Sequence, residues 1–546
     1  MKPLSSYVFF LALLFSKTSQ AQKIVYSPPE KQDFNRSRFD VITKHGDNIL
    51  VYKAVYMGNP FTGRYSEGPL LSYANPTPFQ YYTGPATGPE NGIEQSKIVI
   101  YDSDMDLRTE KVLPLPKEIS GVHFLVYDDF FYIFYQYLVK HTIFCMAAKV
   151  NMDGDLIGDP IQMDQTTVMD MHYQSQIYTA IYSEDKKNIL LFNENISSAH
   201  PPVLNSILFD KELHPLRRST HVLTMPGSEY LSEFRIDNEG NFIFIGLEGK
   251  AKYHNAQQAV LFILPRYEDS LNYTYVAPAS ISVDDIHLLI DNRNKRYILS
   301  SFYSRHPEGD IEGLFCLVRD ANGQTSDKIS LTVLSDSMRI LVQKRNTKTI
   351  FNDFYLQEMH LRKDGSYTIE AQQIGSSIRT FFSRWNYLPR VSRSVATEYA
   401  WYDPYEHDHY FPWRLWHTGT NAAGYSSESG LIMCLDSTGI AQWVNIFHTP
   451  QLDGIPAKLG YKIIIGNGLL YFLYNVHIRR QDYLTAQSIN TYGELNTDPQ
   501  LKEDKALYGQ SDDYTYFPRM GKTIDAGEVI VPCRKGRYMC LAKISF

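Results

Sequence analysis

Cysteine is scarce: the 546-residue chain has five, at positions 145, 316, 434, 533 and 540. They are too few and too scattered for a disulfide framework, and no C-x-x-C pair exists to hold zinc or run thioredoxin-like exchange. A basic excess is also missing. The formal net charge is −7, which leaves no surplus to neutralise phosphates and argues against a nucleic-acid partner. Beyond the first 20 residues no apolar run approaches the roughly 18 needed to cross a bilayer, so no transmembrane segment is expected in the mature chain. Catalytic signatures are absent too. There is no G-x-S-x-G elbow, and Gly521-Lys522-Thr523 lacks the earlier glycine of a phosphate loop. Asp102-Ser103-Asp104-Met105-Asp106 begins like a calcium loop, but Leu107 and Leu113 stand where that loop needs glycine and a bidentate glutamate. No cofactor and no metal are expected on these grounds.

The N-terminus carries an address. Lys2 precedes the apolar run Tyr7–Phe15, and Ser19-Gln20-Ala21 forms a small-x-small cleavage site before Gln22. This is the three-part plan of a secretory signal peptide over residues 1–21, and no cysteine follows it to take a lipid anchor. Export to the periplasm or to the outside is therefore expected for residues 22–546. Cys145, Cys316 and Cys434 sit inside apolar runs, as small core residues do. Cys533 and Cys540 flank Arg534-Lys535-Gly536-Arg537. With Gly536 first in a type II′ turn the two would lie opposite each other, free or bonded.

Aromatics are abundant at 14%, with 40 Tyr and 29 Phe, which favour pleated and half-buried surfaces. Two hairpin patterns alternate along the chain. One is an apolar strand running into an Asp/Asn/Gly turn and a second strand, at 96–107, 144–157, 204–216, 259–271, 314–325, 431–443, 484–495 and 538–546. The last copy stops where its turn would begin. The other has its turns at His45-Gly46-Asp47, Asp128-Asp129, Glu184–Lys187, Asn238-Glu239-Gly240, Asn292-Arg293-Asn294, Lys363-Asp364-Gly365, Gly466-Asn467-Gly468 and Asp525-Ala526-Gly527. These residue types supply positive φ or side-chain hydrogen bonds to the turn. Eight units of each kind make eight four-stranded antiparallel sheets, and such sheets set radially form an all-β propeller that protects its edges by closing the ring. Eight blades are expected rather than seven, with two stacked sandwiches as the competing arrangement. The isolated strand Gln22–Ser27 is expected to pair with Tyr538–Phe546 and seal the ring.

Asp436-Ser437-Thr438-Gly439-Ile440-Ala441-Gln442-Trp443 resembles the D-x-x-G-x-x-x-W hairpin of secreted bacterial propeller repeats. With Ala21-Gln22 at the cleavage site and the repeat layout over most of 22–546, the chain resembles exported β-propeller proteins of Bacteroidetes-type bacteria. That resemblance implies the fold and export, and no agreed activity.

Two intervals break the spacing, at about 57–95 and 375–430. Both fall between the second and third strands (B and C) of a blade, so both should rise from the same face. Long connections of this kind are uncommon and often functional. The first is rich in Gly, Pro and Tyr, including Tyr81 and Tyr82. The second holds four of the five tryptophans, Trp385, Trp401, Trp413 and Trp416, with Tyr402, Tyr405, His407 and His409 among them. Aromatic faces stack on sugars and dominate protein interfaces, although they would equally pack on one another. His407-Asp408-His409 lacks the spaced partners of a metal site. The functional expectation is an exported, non-catalytic propeller that binds a glycan or envelope protein through this face. A glycan-active hydrolase or lyase using paired carboxylates, and a structural envelope component, are the alternatives.

Overall fold

The computed structural model describes residues 23–30, 37–56, 93–117, 119–167, 178–197, 200–226, 231–248, 256–284, 286–307, 309–342, 349–373, 375–376, 425–453, 460–478, 481–496, 514–536 and 538–546. These residues form eight antiparallel sheets. Blade 1 runs Ser37–His45 (strand A), Asn48–Tyr56 (B), Ile93–Tyr101 (C) and Leu107–Leu113 (D), and blades 2 to 7 repeat this order. Blade 8 takes Glu528–Lys535 as B, Tyr538–Ser545 as C, and Lys23–Tyr26 from the other end of the chain as D. The closing register runs from Lys23 opposite Ser545 to Tyr26 opposite Ala542. Eight blades and the seal expected from the repeat are thus both present, and the sandwich arrangement is not.

The third-to-fourth-strand turns explain the D-x-x-G pattern. Asp102, Asn151, Asp210, Asp436 and Asn490 each accept backbone N–H bonds from residues two and four ahead through one side-chain oxygen. The residue three ahead has positive φ: Met105, Gly154, Leu213, Gly439 and Gly493. Glycine is the cheapest solution and three of these five turns use it. The apparent calcium loop at Asp102 is this turn.

Strands B and C are buried on both faces, so apolar clusters fill the contacts between neighbouring blades, one of them running through blades 3, 4 and 5. Tyr52 and Ile98 pack with Phe131 and Ile133 between blades 1 and 2. Val51 and Val99 meet Ile530 and Leu541 across the seam with blade 8. Ile464 and Leu473 meet Val529 and Val531 between blades 7 and 8. At roughly 25 cal/mol per Å² of apolar area, this unbroken circuit of clusters is the main stabilising term. Cys145, Cys316 and Cys434 are buried in it. Cys533 and Cys540 face each other in the expected register as free thiols with sulfurs 2.9 Å apart, and Gly536 in their turn has φ +59°.

The A–B turns gather on one face and bond to one another. The Asp185 N–H donates to Asn238 Oδ1 (3.0 Å), and the Asn238 N–H to Asn292 Oδ1 (2.9 Å). Arg293 donates to the Lys363 carbonyl, Gly527 to the Ile465 carbonyl, and Lys44 to Asp525. The B–C connections therefore leave from the opposite face. Both long intervals do so. The first is rooted where Tyr56 pairs with Ile93, the second where Ser376 pairs with Tyr425. Strand reaches further into both intervals than the repeat alone indicated, through Ile93–Tyr101 and Tyr425–Leu435.

Candidate functional site

The A strands are the innermost, and several of them are interrupted where they line the centre of the ring. In blade 4, Glu233 and Phe234 together oppose Phe244, between the pairs Ser232–Ile245 and Arg235–Ile243. In blade 6, Gln357 and Glu358 together oppose Glu370, between Leu356–Ala371 and Met359–Ile369. Blade 2 has the same break between Ser120 and His123. A bulge of this kind re-aims side chains and is common beside functional sites. In blades 5 and 8 the A strand is split in two, as Ser282–Val283 with His287–Asp291 and as Tyr514–Tyr516 with Lys522–Asp525.

The blade 8 split holds the turn Pro518–Met520, and Arg519 on it reaches across blade 7 to blade 6. Its guanidinium donates to Gln372 Oε1 (2.8 Å) and Gln357 Oε1 (2.6 Å). Gly460, which precedes the blade 7 A strand, makes room for this span. It has φ +90°, and a Cβ there would lie 2.6 Å from Arg519 Nη1 and 2.9 Å from Gln372 Nε2. Gln372 Nε2 in turn donates to Ser427 Oγ (2.7 Å), two residues from the root of the second insertion. A polar bridge thus ties blades 6 and 8 together directly beside that root.

Below the bridge, the contact between blades 6 and 7 departs from the apolar rule. Strand B of blade 6, Tyr367–Gln373, turns Tyr367, Ile369 and Ala371 toward the blade 5 cluster. The alternate residues Thr368, Glu370 and Gln372 turn the other way and are almost fully buried. Glu370 pairs in register with Ile432, whose neighbours are Phe447, Tyr461 and Phe472. His360 and the bulged Glu358 meet it from strand A. His360 Nε2 lies 3.1 Å from Glu358 Oε2 and 3.4 Å from Glu370 Oε1. These donor atoms lie within 4.8 Å of one another and form the group of three or more His, Cys, Asp or Glu side chains suited to a metal among the described residues.

The electrostatics are unusual for a core. Neither Glu370 oxygen has a hydrogen-bond partner among the described residues, so the approach of His360 is a contact of charge. The Thr368 hydroxyl and the Tyr461 hydroxyl, both buried on the same interface, are also without one among those residues. Burial pushes the Glu370 carboxyl up, against the pull of His360. Burial alone would lower His360, but the Glu358 and Glu370 carboxylates outweigh it and hold the imidazole protonated well above its ordinary range. The buried Lys462 adds a weaker attraction on Glu370. A carboxyl, an imidazole and a second carboxylate at these separations can pass a proton or ligate a cation.

Glu358, His360 and Glu370 were not singled out from sequence. The available signal was alternation: Thr368, Glu370 and Gln372 at every second position of a strand whose position in the blade demands burial on both faces. The candidates that were singled out, Tyr81, Tyr82, Trp385, Trp401, Tyr402, Tyr405, His407, His409, Trp413 and Trp416, lie outside the described residues. So does the expected signal peptide. Among the described residues no helix is long and apolar enough to cross a membrane.

No family profile and no curated protein match the chain. Among solved structures it is similar to the polysaccharide lyase Uly1, with 9% identity and a TM-score of 0.39 over 96% of this chain and 99% of that one. It is similar to a prolyl endopeptidase at 8% identity and a TM-score of 0.38, over 93% of this chain and 55% of that one, so it spans about half that protein's length. An oligogalacturonate lyase in complex with manganese matches at 7% identity and a TM-score of 0.32, over 64% of this chain and 83% of that one. Likeness at this level bears on neither chemistry nor ligand.

Proposed function

We propose that the protein is an exported propeller, akin to those of Bacteroidetes-type bacteria, that binds a glycan or an envelope protein without turning it over. The binding face is the one from which the B–C connections leave, and the aromatic residues of the two insertions make the contact. One observation carries this reading: the insertions are rooted on the same face, at Tyr56–Ile93 and Ser376–Tyr425, while the opposite face is closed by turn-to-turn hydrogen bonds. Tryptophan and tyrosine faces supply large contact area at low entropic cost, which suits a sugar ring or a protein pocket. Replacing Trp401, Trp413 and Trp416 together by Ala should abolish binding in a screen of glycans and envelope extracts while the far-ultraviolet spectrum stays that of the ring. Loss of the folded ring in that variant overturns the reading.

A catalytic reading draws on one specific observation, the buried Glu370 carboxyl beside His360 and Glu358. It requires turnover of a polysaccharide by the purified protein that Glu370→Gln removes. Binding without turnover decides against it.

A further inference from the structure

We propose that Glu358, His360 and Glu370 form a binding site for a single divalent transition cation, Zn²⁺ or Mn²⁺, in the wall of the central channel. This goes beyond the binding role of the outer face and does not depend on it. The first ground is spacing. Metal–ligand bonds of about 2.1 Å place neighbouring donor atoms about 3.0 Å apart in octahedral and about 3.4 Å apart in tetrahedral geometry. His360 Nε2 stands 3.1 Å from Glu358 Oε2 and 3.4 Å from Glu370 Oε1.

The second ground is independent of the cluster's composition. Glu370 is fully buried, and both of its oxygens lack a hydrogen-bond partner among the described residues. Buried carboxylates are ordinarily satisfied, and leaving one unmet costs several kcal/mol in a low-dielectric interior. The carboxylate beside the blade 4 bulge follows the rule. Glu233 on the blade 4 bulge accepts from Arg235 and from the Leu288 N–H. A bound cation would supply to Glu370 what those donors supply to Glu233.

The third ground is how the blade 6 hairpin builds the site. Glu370 on strand B lies opposite Gln357 and Glu358 of strand A, and His360 follows two residues on, so both side chains reach it from the neighbouring strand. Glu358 and His360 keep 16% and 18% of their side-chain surface exposed while Glu370 has none, so the cation would be anchored from inside and open on the channel side. Three protein donors leave coordination positions for water or for an oxygen ligand. One imidazole with two carboxylates favours Zn²⁺ or Mn²⁺ over Ca²⁺, which prefers six or more oxygens.

The test uses the full mature chain, stripped with a chelator and dialysed, then titrated calorimetrically with ZnCl₂, MnCl₂ or CaCl₂ in two buffers of different ionisation enthalpy. The expected result is one Zn²⁺ or Mn²⁺ per chain, and Ca²⁺ at least about tenfold weaker. Glu370→Gln and His360→Gln should each weaken binding by about 100-fold or more while the far-ultraviolet spectrum is kept. Should either fail to fold, Glu358→Gln, partly exposed on the bulge, removes a ligand without touching the buried carboxyl and should weaken binding by at least about tenfold. No binding by the parent protein at millimolar metal, or binding unchanged in the folded variants, overturns the proposal.

Discussion

Two bulges of one ring each stand beside a buried carboxylate and treat it in opposite ways. On blade 4, Glu233 has φ +55° and is 3% exposed, yet Arg235 Nη2 (2.9 Å) and the Leu288 N–H (3.0 Å) both donate to it, and His287 stands 3.7 Å away. On blade 6, Glu370 is as deeply buried, neither of its oxygens has a hydrogen-bond partner among the described residues, and His360 stands 3.4 Å from one of them. The first arrangement is complete and ties blade 4 to blade 5. The second leaves acceptor capacity on Glu370 beside Glu358 and His360, which keep part of their surface exposed. A fully partnered buried charge stiffens a fold, and an incompletely partnered one carries a cost that a ligand can offset.

Three substitutions sharpen or break this contrast. Glu233→Ala removes the carboxylate that the buried Arg235 Nη2 and the Leu288 N–H donate to, so it should cost about 3–5 kcal/mol by urea unfolding. A loss under about 1 kcal/mol would show that the two bulges do not differ as described. Asp436→Ala tests a carboxylate that is hydrogen-bonded but only partly buried, and should cost about 1 kcal/mol at pH 7. Burial raises the Asp436 carboxyl, but the Thr438 hydroxyl and the N–H groups of Ile440 and Thr438 pull it below its ordinary value. A folded pKa below the unfolded one of about 3.9 stabilises above that pH and ceases to do so as pH falls through the folded value. The gap between parent and Asp436→Ala should therefore close on acidification, and a gap that stays constant with pH refutes the assignment. The smallest effect is expected for Glu370→Gln in chelated protein, within about 0.5 kcal/mol of the parent or slightly stabilising, because the neutral amide avoids burying a charge. A loss as large as that of Glu233→Ala would mean that Glu370 is a structural carboxylate after all.

Much of the architecture was legible because turn chemistry is local. Asp102, Asn151, Asp210, Asp436 and Asn490 announce their hairpins through side-chain bonds to N–H groups two and four residues on, a rule that needs no knowledge of the rest of the chain. The closing strand was legible for a related reason, since a lone strand at each end of a blade repeat leaves one pairing for both. The channel wall was not. Neither Glu358, His360 nor Glu370 stands out among 60 acidic residues and 16 histidines. Arg519 and Gln357 lie 162 positions apart in the chain, and nothing local brings them together.

Hydrophobic alternation and turn residues, read along the chain, were enough to set the number of blades, their strand order and the faces on which the two long connections begin, because those features depend on contacts between near neighbours. Which polar residues meet inside the ring was decided by tertiary structure: closure brings Arg519 of blade 8 to Gln357 and Gln372 of blade 6, and the pairing of strands A and B in blade 6 brings His360, Glu358 and Glu370 within ligand distance of one another. A bulge rotates a side chain without leaving a distinct residue pattern.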